Sequence, residues 1–237
     1  MALLEVDNIR TAYGLSKVLF GISLTVEPGE VVALVGRNGV GKTTTMRSIM
    51  GLAPPQQGSV RWMDREITRL PVYHVAKLGI GYVPEDRRIF PELTVWENLD
   101  IARLPPIGGA KGDGWSEEQV FELFPDLKDI QSRKGGVLSG GQQQMLTIAR
   151  SLMGNPKLLL LDEPSEGLAP IIVETLRDRI HLLKTGGLSI ILAEQNLEFV
   201  LYLSDRIHIL EKGAIQYTGT PADLRANPDI QSKYLTL

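Results

Sequence analysis

One short glycine-containing stretch narrows the possible folds of this chain more than any other part of its sequence. Residues 36–43 read GRNGVGKT and fit the pattern G-x-x-x-x-G-K-(S/T). The apolar run Val31 to Val35 comes directly before it, and a helical pattern with Met46, Ile49 and Met50 follows. The glycines let backbone N–H groups turn toward an anion at the positive end of the following helix. The stretch therefore predicts a phosphate-binding loop in an α/β domain.

The residues of this loop have separate predicted roles. We expect Lys42 to contact the β- and γ-phosphates of a nucleoside triphosphate and the Thr43 hydroxyl to hold Mg²⁺. A glycine-rich turn that only joins a strand to a helix is the alternative, but it gives no reason for lysine and threonine at these positions. The predicted nucleotide-binding residues of the loop are Gly36, Arg37, Asn38, Gly39, Val40, Gly41, Lys42, Thr43 and Thr44.

Two acids follow a run of four leucines. Residues 157–164 read KLLLLDEP, so Asp162 and Glu163 emerge at the carboxyl end of a buried strand, where open α/β sheets bind their ligands. Mg²⁺ prefers carboxylate and water oxygens, which makes Asp162 a predicted metal ligand. Glu163 is predicted to act as the general base toward the attacking water. Alone, the pair also fits a solvated strand end; the phosphate loop favours the catalytic interpretation.

The chain as a whole is predicted to form one α/β domain over residues 1–237. Residues 1–86 combine antiparallel strands, at Leu3 to Ile9 and Val18 to Val26, with the phosphate-loop half of the core. Residues 87–156 hold an α-helical insertion, and residues 157–237 complete a mostly parallel central sheet.

Periodicity and capping residues predict the helices outside the phosphate-loop unit. Helical patterns cover Thr94 to Leu104, Glu117 to Phe124 and Gln142 to Met153. A threonine N-cap at Thr220, with proline next to it, predicts a short final helix. Residues 105–114 are rich in glycine and proline and are predicted to form a mobile loop.

Composition excludes several classes of function. The chain has no cysteine, which rules out a disulfide scaffold, a thiolate zinc site, an iron–sulfur cluster and a cysteine nucleophile. It has 25 Lys and Arg against 28 Asp and Glu, so its net charge of −3 gives no overall positive field for nucleic acid. Its apolar runs are far shorter than the about 20 residues that cross a bilayer. The first residues lack a basic head and a long apolar stretch, so we expect a cytoplasmic protein whose membrane association is peripheral.

A third motif resembles that of a known family. Residues 138–144, LSGGQQQ, are similar to the signature sequence of ATP-binding-cassette (ABC) proteins, and the resemblance covers about Leu3 to Leu224 in the family's order of motifs. It implies that Tyr13 stacks on adenine, although a core or surface tyrosine is the alternative. It also implies that ATP is bound by the signature residues Ser139, Gly140, Gly141 and Gln142, whose bare backbone and hydroxyl begin a helix and suit an anion.

The resemblance also implies partners. In this family two cassettes pair head to tail, so that each ATP lies between the phosphate loop of one and the signature of the other. The implied second cassette is either a copy of this chain or a different ATPase subunit, and the pair docks on two membrane permease subunits. ATP closes such a pair and hydrolysis opens it.

Three positions depart from the commonest cassette pattern. Glu85 stands where a glutamine is usual, Ala169 where an aspartate is usual, and Gln195 where a histidine is usual. The resemblance places Glu85 among the metal ligands and Gln195 among the catalytic residues. An amide both donates and accepts, so Gln195 fits hydrogen bonding to the γ-phosphate; a slowed or asymmetric site is the other interpretation.

The same departures resemble the smaller ATPase subunit of branched-chain amino acid importers. Importers of urea and short amides share much of this pattern and remain an alternative. Both assignments imply a place on the cytoplasmic face of the inner membrane and an indirect connection to a periplasmic solute-binding protein. The ATPase subunit does not touch the transported solute, so its sequence does not name that solute.

Residues 85–91, EDRRIFP, are placed to connect the nucleotide site to the membrane subunits. The resemblance implies that Ile89 and Phe90 make apolar contacts there and that Arg87 and Arg88 make polar ones; a solvated loop is the alternative. Two other classes stay open. One is a soluble cassette ATPase acting on DNA or ribosomes, which usually has two cassettes or a long coiled coil. The other is a nucleotide-gated subunit that switches without turnover.

Overall fold

The computed structural model of the chain describes residues 2–104 and 114–234, so nearly all of the predicted loop at 105–114 lies outside the described residues. The strands of the described part are β1 (Leu4–Arg10), β2 (Ala12–Tyr13), β3 (Ser16–Lys17), β4 (Ile22–Val26), β5 (Val31–Val35), β6 (Gln57–Trp62), β7 (Arg65–Glu66), β8 (Ile80–Val83), β9 (Leu158–Asp162), β10 (Ser189–Glu194), β11 (Arg206–Glu211) and β12 (Ala214–Gly219). The helices are α1 (Lys42–Ile49), α2 (Val72–Lys77), α3 (Val95–Asp100), α4 (Glu117–Leu123), α5 (Pro125–Asp129), α6 (Gly140–Leu152), α7 (Pro170–Thr185), α8 (Leu197–Leu203), α9 (Pro221–Arg225) and α10 (Pro228–Tyr234).

The central sheet has the strand order β12-β11-β5-β10-β9-β8. All neighbouring pairs are parallel except β11 with β12. The register pairs Val35 with Glu194 and Ala193 with Asp162, so the carboxyl ends of β5, β10 and β9 lie side by side. The predicted mostly parallel sheet is confirmed, and its register brings the phosphate loop and the acid pair to one edge.

Both faces of this sheet are covered, which explains its continuous apolar runs. Side chains alternate between the faces, so Val32 and Leu34 of β5 pack into one hydrophobic core with β1, β4 and α1. Val31, Ala33 and Val35 pack into a second core with α6, α7 and α8. An apolar residue is therefore needed at every position of β5.

The antiparallel part forms a separate sheet in the order β4-β1-β6-β7, as the sequence predicts. The predicted strand over Val18 to Val26 is wrong in its first half, because β4 begins only at Ile22. Gly21 has a φ of +109°, which ends an extended run, and the Phe20 N–H donates to Gly213 O at 2.9 Å. Residues 18–21 therefore cross to the turn between β11 and β12 instead of continuing the strand.

The helices follow the predicted caps more closely than the predicted lengths. Thr220 caps α9 as predicted, and Thr94 caps α3, each through reciprocal bonds with the residue three positions on. The helix predicted to be the final one is followed by a further helix, α10, within the described residues, so that part of the prediction is wrong. The helix predicted over Thr94 to Leu104 is too long, since α3 ends at Asp100. Leu104 precedes a proline, which disfavours a helical backbone, and its N–H donates to Met153 O at 3.1 Å. No helix within residues 2–104 and 114–234 has both the length and the apolar character of a bilayer span.

Candidate functional site

The phosphate loop lies between β5 and α1, and the sheet forces its shape. A Cβ on Gly36 would lie 2.5 Å from Leu210 O, so the backbone approaches its neighbour too closely for a side chain. Gly41 has a φ of +112° at the start of α1. The loop lines a cleft of about 430 Å³, a volume typical of small-ligand sites. The lining residues are Val18, Asn38, Gly39, Gly41, Lys42, Thr43, Thr44, Glu85 and Glu163.

Lys42 is buried at the base of this cleft. Its Nζ donates to Gly36 O at 2.6 Å and to Arg37 O at 3.0 Å. It also lies 3.0 Å from Glu163 Oε1, and both side chains of this ion pair are almost fully buried, at 3% and 5% exposure. The charge of Lys42 is thus balanced by Glu163.

Asp162 is the last residue of β9 and is held from two sides. Its Oδ1 accepts a hydrogen bond from Thr43 Oγ1, and its Oδ2 accepts one from the Tyr82 hydroxyl, both at 2.9 Å. Burial raises the pKa of Asp162 above its ordinary value, while these hydrogen bonds act in the opposite direction. A hydroxyl and a carboxylate in direct contact are the oxygen ligands that Mg²⁺ prefers, so this donor set fits that ion. Glu85 lines the same cleft.

Glu163 follows in a left-handed conformation, with a φ of +47°. Such a backbone is strained in a residue other than glycine and persists only where its surroundings hold it. The Glu163 N–H donates to Ala193 O at 2.9 Å, which ties this turn to β10. Gln195 Nε2 donates to Glu163 Oε2 and to Asn38 Oδ1, both at 2.8 Å. Gln195, Glu163 and Lys42 therefore form one chain of contacts beside the phosphate loop.

Sequence reasoning missed the role of Tyr82. This residue belongs to β8, next to β9, and its hydroxyl reaches Asp162 across 80 residues of sequence. Burial, followed by the charge of Asp162, raises the pKa of Tyr82 well above its ordinary value, so the phenol keeps its proton and donates. Hydrogen bonds with Tyr82 and then Tyr13 raise the pKa of Arg47. The signal available in the sequence was only the position of Tyr82 near the end of a short apolar strand; the pairing of that strand with β9 comes from the structure.

Two predicted ATP-binding elements do not line this cleft. Tyr13 lies in the β2–β3 hairpin with 45% of its surface exposed. The signature residues lie at the start of α6, where the Gln142 N–H donates to Ser139 Oγ at 3.3 Å and Gln142 Oε1 accepts from the Ser139 N–H at 3.0 Å. One copy of the chain therefore does not bring the signature residues 139–142 together with the phosphate loop.

Arg87 connects the remaining motifs. Its Nη2 donates to Glu166 O at 2.8 Å, in the loop after the acid pair. Its Nη1 would be 2.7 Å from a Cβ on Gly140, so the guanidinium lies against the first residue of α6. Ala169, in place of the usual aspartate, is the N-cap residue of α7 and provides no side-chain cap. The segment 85–91, the loop after the acid pair and the signature thus meet at one arginine.

Phe90 lies on the surface of the helical insertion, with 47% of its area exposed. Asn98 of α3 fixes its backbone: Oδ1 accepts from the Phe90 N–H at 2.9 Å, and Nδ2 donates to Phe90 O at 3.0 Å. The guanidinium of Arg150 lies 5.1 Å from the centre of the Phe90 ring and donates to Arg88 O. An exposed aromatic ring is therefore held in place by Asn98 and Arg150, in the same segment as Arg87, which contacts the loop after the acid pair.

Comparisons with known proteins agree with this arrangement. Residues 19–166 match the sequence model of the family described as ABC transporter. BraG of Pseudomonas aeruginosa, a high-affinity branched-chain amino acid transport ATP-binding protein, is 42% identical over 98% of this chain and 99% of its own. LivF of Archaeoglobus fulgidus, a probable branched-chain amino acid transport ATP-binding protein, is 36% identical over 94% of both chains. LptB of Escherichia coli, a lipopolysaccharide export system ATP-binding protein, is 35% identical over 99% and 98%.

Solved structures give the same result. The chain is similar to MJ1267, an ATP-binding cassette of an ABC transporter in its ADP conformation, with a TM-score of 0.81 and 28% identity over 98% of both chains. It is also similar to the ATP-binding cassette MJ0796, solved as a dimer in a post-hydrolysis state with ADP and Pi. That similarity has a TM-score of 0.79 and 25% identity, over 92% of this chain and 98% of the other.

Proposed function

Because the chain belongs to the ABC transporter family, as an ATP-hydrolysing subunit, we propose that it powers an importer of branched-chain amino acids. The observation that carries this proposal is the similarity to BraG over nearly the whole chain. The substitution pattern at Glu85, Ala169 and Gln195 supports the same assignment. The contacts of Gln195 with Glu163 and Asn38 support a site in which the unusual glutamine takes part in hydrolysis.

We assign the steps at the phosphate loop to this chain's own residues. The loop backbone and Lys42 bind the triphosphate, and Gln195 contacts the γ-phosphate. Glu163 orients the attacking water and takes its proton. Thr43, Asp162 and Glu85 would hold Mg²⁺. When bound, that ion would help to neutralise the negative charge of the phosphates.

Turnover on this proposal requires a second cassette. The signature residues 139–142 begin α6 and are not among the residues that line the phosphate cleft of their own chain, which supports their acting on the nucleotide of a head-to-tail partner, a copy of this chain or a different ATPase subunit. The pair would dock on two permease subunits at the cytoplasmic face of the inner membrane. A periplasmic solute-binding protein would act through the permeases, and nucleic acid has no part in the cycle.

Two other kinds of transporter are alternatives to this assignment. A urea or short-amide importer would use nearly the same ATPase pattern. The similarity to LptB is a specific observation in favour of an exporter of lipopolysaccharide, although its identity to this chain is lower than that of BraG. The phosphate site does not distinguish among these solutes, because on this proposal the transported solute does not contact the ATPase subunit.

Affinity purification of the full-length protein from native membranes tests the function, with identification of the subunits that co-purify. We expect two permeases and a second cassette, and loss of leucine, isoleucine and valine uptake when the gene is deleted. Lipopolysaccharide-transport subunits in the complex, or a deletion strain that loses only urea or amide uptake, would contradict the amino acid assignment. A soluble complex with DNA or ribosomes would contradict transport altogether.

The exposed ring of Phe90 supports a membrane-subunit contact, and we expect Phe90→Asp to abolish transport. The substitution places a charge where an apolar contact forms and leaves the phosphate cleft unchanged, so ATP affinity should stay within about twofold of wild type. Solute uptake and nucleotide binding, measured on the same complex, check this. Tyr73→Asp is the matched control, since Tyr73 is also an exposed aromatic residue but lies on α2. Uptake retained in Phe90→Asp would place the contact elsewhere.

A further inference from the structure

Glu194 is a buried carboxylate that none of the steps above uses. It is the last residue of β10 and only 2% of its surface is exposed. Its Oε1 accepts a hydrogen bond from the Ser165 N–H at 2.9 Å. Its Oε2 accepts from the N–H groups of Gln195 and Asn196, at 3.0 and 3.2 Å. Three backbone donors from two different loops thus converge on one side chain.

Burying this group is costly unless its hydrogen bonds are retained. Burial raises the pKa of Glu194 above its ordinary value, and a hydrogen bond with the Ser165 side chain, followed by those from the backbone of Ser165, Asn196 and Gln195, opposes that shift. An apolar side chain at the end of β10 would be buried without that desolvation cost, as the side chains of the preceding Leu192 and Ala193 are. The carboxylate at this position is therefore better explained by the two loops that it holds together than by a contribution to the free energy of folding.

The two loops that it joins carry the proposed catalytic groups. Ser165 lies two residues after Glu163, in the turn that follows β9, and Gln195 follows Glu194 directly. Glu163 and Gln195 themselves are joined by the 2.8 Å side-chain hydrogen bond between them, and the Glu163 N–H also ties its turn to β10 through Ala193 O. The Glu194 carboxylate accepts hydrogen bonds from the backbone of both loops that carry these two residues. Asn196, the third donor, also caps α8 through the Phe199 N–H, which anchors the same loop.

We infer that Glu194 is a positioning residue for hydrolysis: it locks the Ser165 turn to the Gln195 loop and so sets the distance between Glu163 and Gln195. It is not itself a base, because both of its oxygens accept backbone hydrogen bonds and its side chain is closed to water. The inference rests on the proposed roles of Glu163 and Gln195. Small displacements of reacting groups, of about 1 Å, cost on the order of 10²-fold in rate.

Glu194→Gln is the substitution that separates positioning from packing. Glutamine has the same shape, but its amide NH₂ must face either the Ser165 N–H or the pair of N–H groups at Gln195 and Asn196. Donor then meets donor, and one loop is released. In the full-length protein, within the complex that it forms in native membranes, we expect kcat for ATP to fall by about 10- to 100-fold. The KM for ATP and the affinity for ATP without Mg²⁺ should stay within about threefold.

A double-mutant cycle with Gln195→Ala supplies the readout that a purely structural role would not move. If Glu194 acts through Gln195, the double variant should lose at least tenfold less activity than the product of the two single losses. Asp205→Asn is the matched control. Asp205 also accepts a hydrogen bond from a backbone group, the Val31 N–H, at 2.9 Å. That bond lies at the amino ends of β5 and β11, whereas Glu194 lies at the carboxyl end of β10. That variant should lose thermal stability and keep the wild-type kcat.

Each outcome of this experiment decides the question. Wild-type kcat in Glu194→Gln, or losses that multiply in the double variant, would overturn the inference. Activity is counted per bound nucleotide, so partial unfolding does not imitate a catalytic loss. Glu194→Asp, which keeps the charge but is one methylene too short to reach both loops, should show the same fall in kcat. If neither variant folds, Glu194 serves global stability and the inference is wrong. If Glu163→Gln retains turnover, the proposed roles fail instead.

Discussion

Replacing Glu163 with glutamine stops ATP turnover and leaves ATP bound: this is the largest catalytic effect that we expect from a single substitution. General-base assistance contributes about 10²- to 10⁴-fold to a rate, and an amide cannot accept the proton of the attacking water. The shape of the side chain is unchanged, so the contact with Gln195 can persist through the amide oxygen. Lys42 loses a charged partner but gains the phosphates. Steady-state ATP hydrolysis and equilibrium ATP binding, measured on the assembled complex, check the two halves of this prediction.

Glu198→Gln is the control for that experiment, because Glu198 is an exposed glutamate on α8 and lies outside the phosphate cleft. We expect it to hydrolyse ATP at the wild-type rate. The Glu163→Gln variant should also accumulate the closed state, so crosslinking in the presence of ATP should capture two cassettes face to face. Unchanged turnover in Glu163→Gln would remove Glu163 from the role of base. Failure to capture a pair around trapped nucleotide would contradict the composite site.

The parts of the fold that the sequence predicts well are those that short-range physics determines. The run Val31 to Val35 is apolar at every position because both faces of β5 are covered, and its strand has the predicted limits. Ser139 and Thr220 begin helices as predicted, and the helical pattern predicted from Thr94 begins there with an N-cap, because an N-cap bond spans only a few residues. The strand predicted from Val18 and the helix predicted to Leu104 were too long. Both errors come from backbone contacts, with Gly213 and with Met153, that are distant in sequence.

The same distinction holds for the site. The loop residues and the acid pair are recognisable because glycine spacing and a strand end are local patterns. The contact between Tyr82 and Asp162 depends on β8 lying beside β9, and the bond between Gln195 and Glu163 depends on β10 lying beside β9. In the sequence, Glu194 is one more polar residue after an apolar run. Its contact with the turn at Ser165 is visible only in the structure. Side chains that position the predicted groups therefore emerge only from the strand order.

Replacing Lys42 with alanine should remove ATP binding itself. Lys42 is the buried cation of the loop, and its Nζ lies 3.0 Å from Glu163 Oε1. A triphosphate at the loop competes with Glu163 for that charge, so ATP binding would also release the base from its ion pair. Without Lys42 the phosphates would enter a cleft lined by the carboxyl groups of Glu85 and Glu163, and the described residues that line it include no other cation. Removing one partner of a buried charge pair costs about 3–5 kcal/mol, which corresponds to roughly 10²- to 4 × 10³-fold in affinity.

Equilibrium binding of ATP in EDTA and in Mg²⁺ measures this effect, and it separates Lys42 from Glu163. The alanine variant at Lys42 should lose affinity in both conditions, because the lysine acts on the phosphates and not through the ion. The glutamine variant at Glu163 should lose it in neither. Lys157→Ala is the matched control, since Lys157 is an exposed lysine at the start of β9, at the edge of the sheet opposite the loop. An affinity of Lys42→Ala within about threefold of wild type would mean that the backbone of the loop binds the triphosphate without it, and the assignment of Lys42 to the phosphates would be wrong.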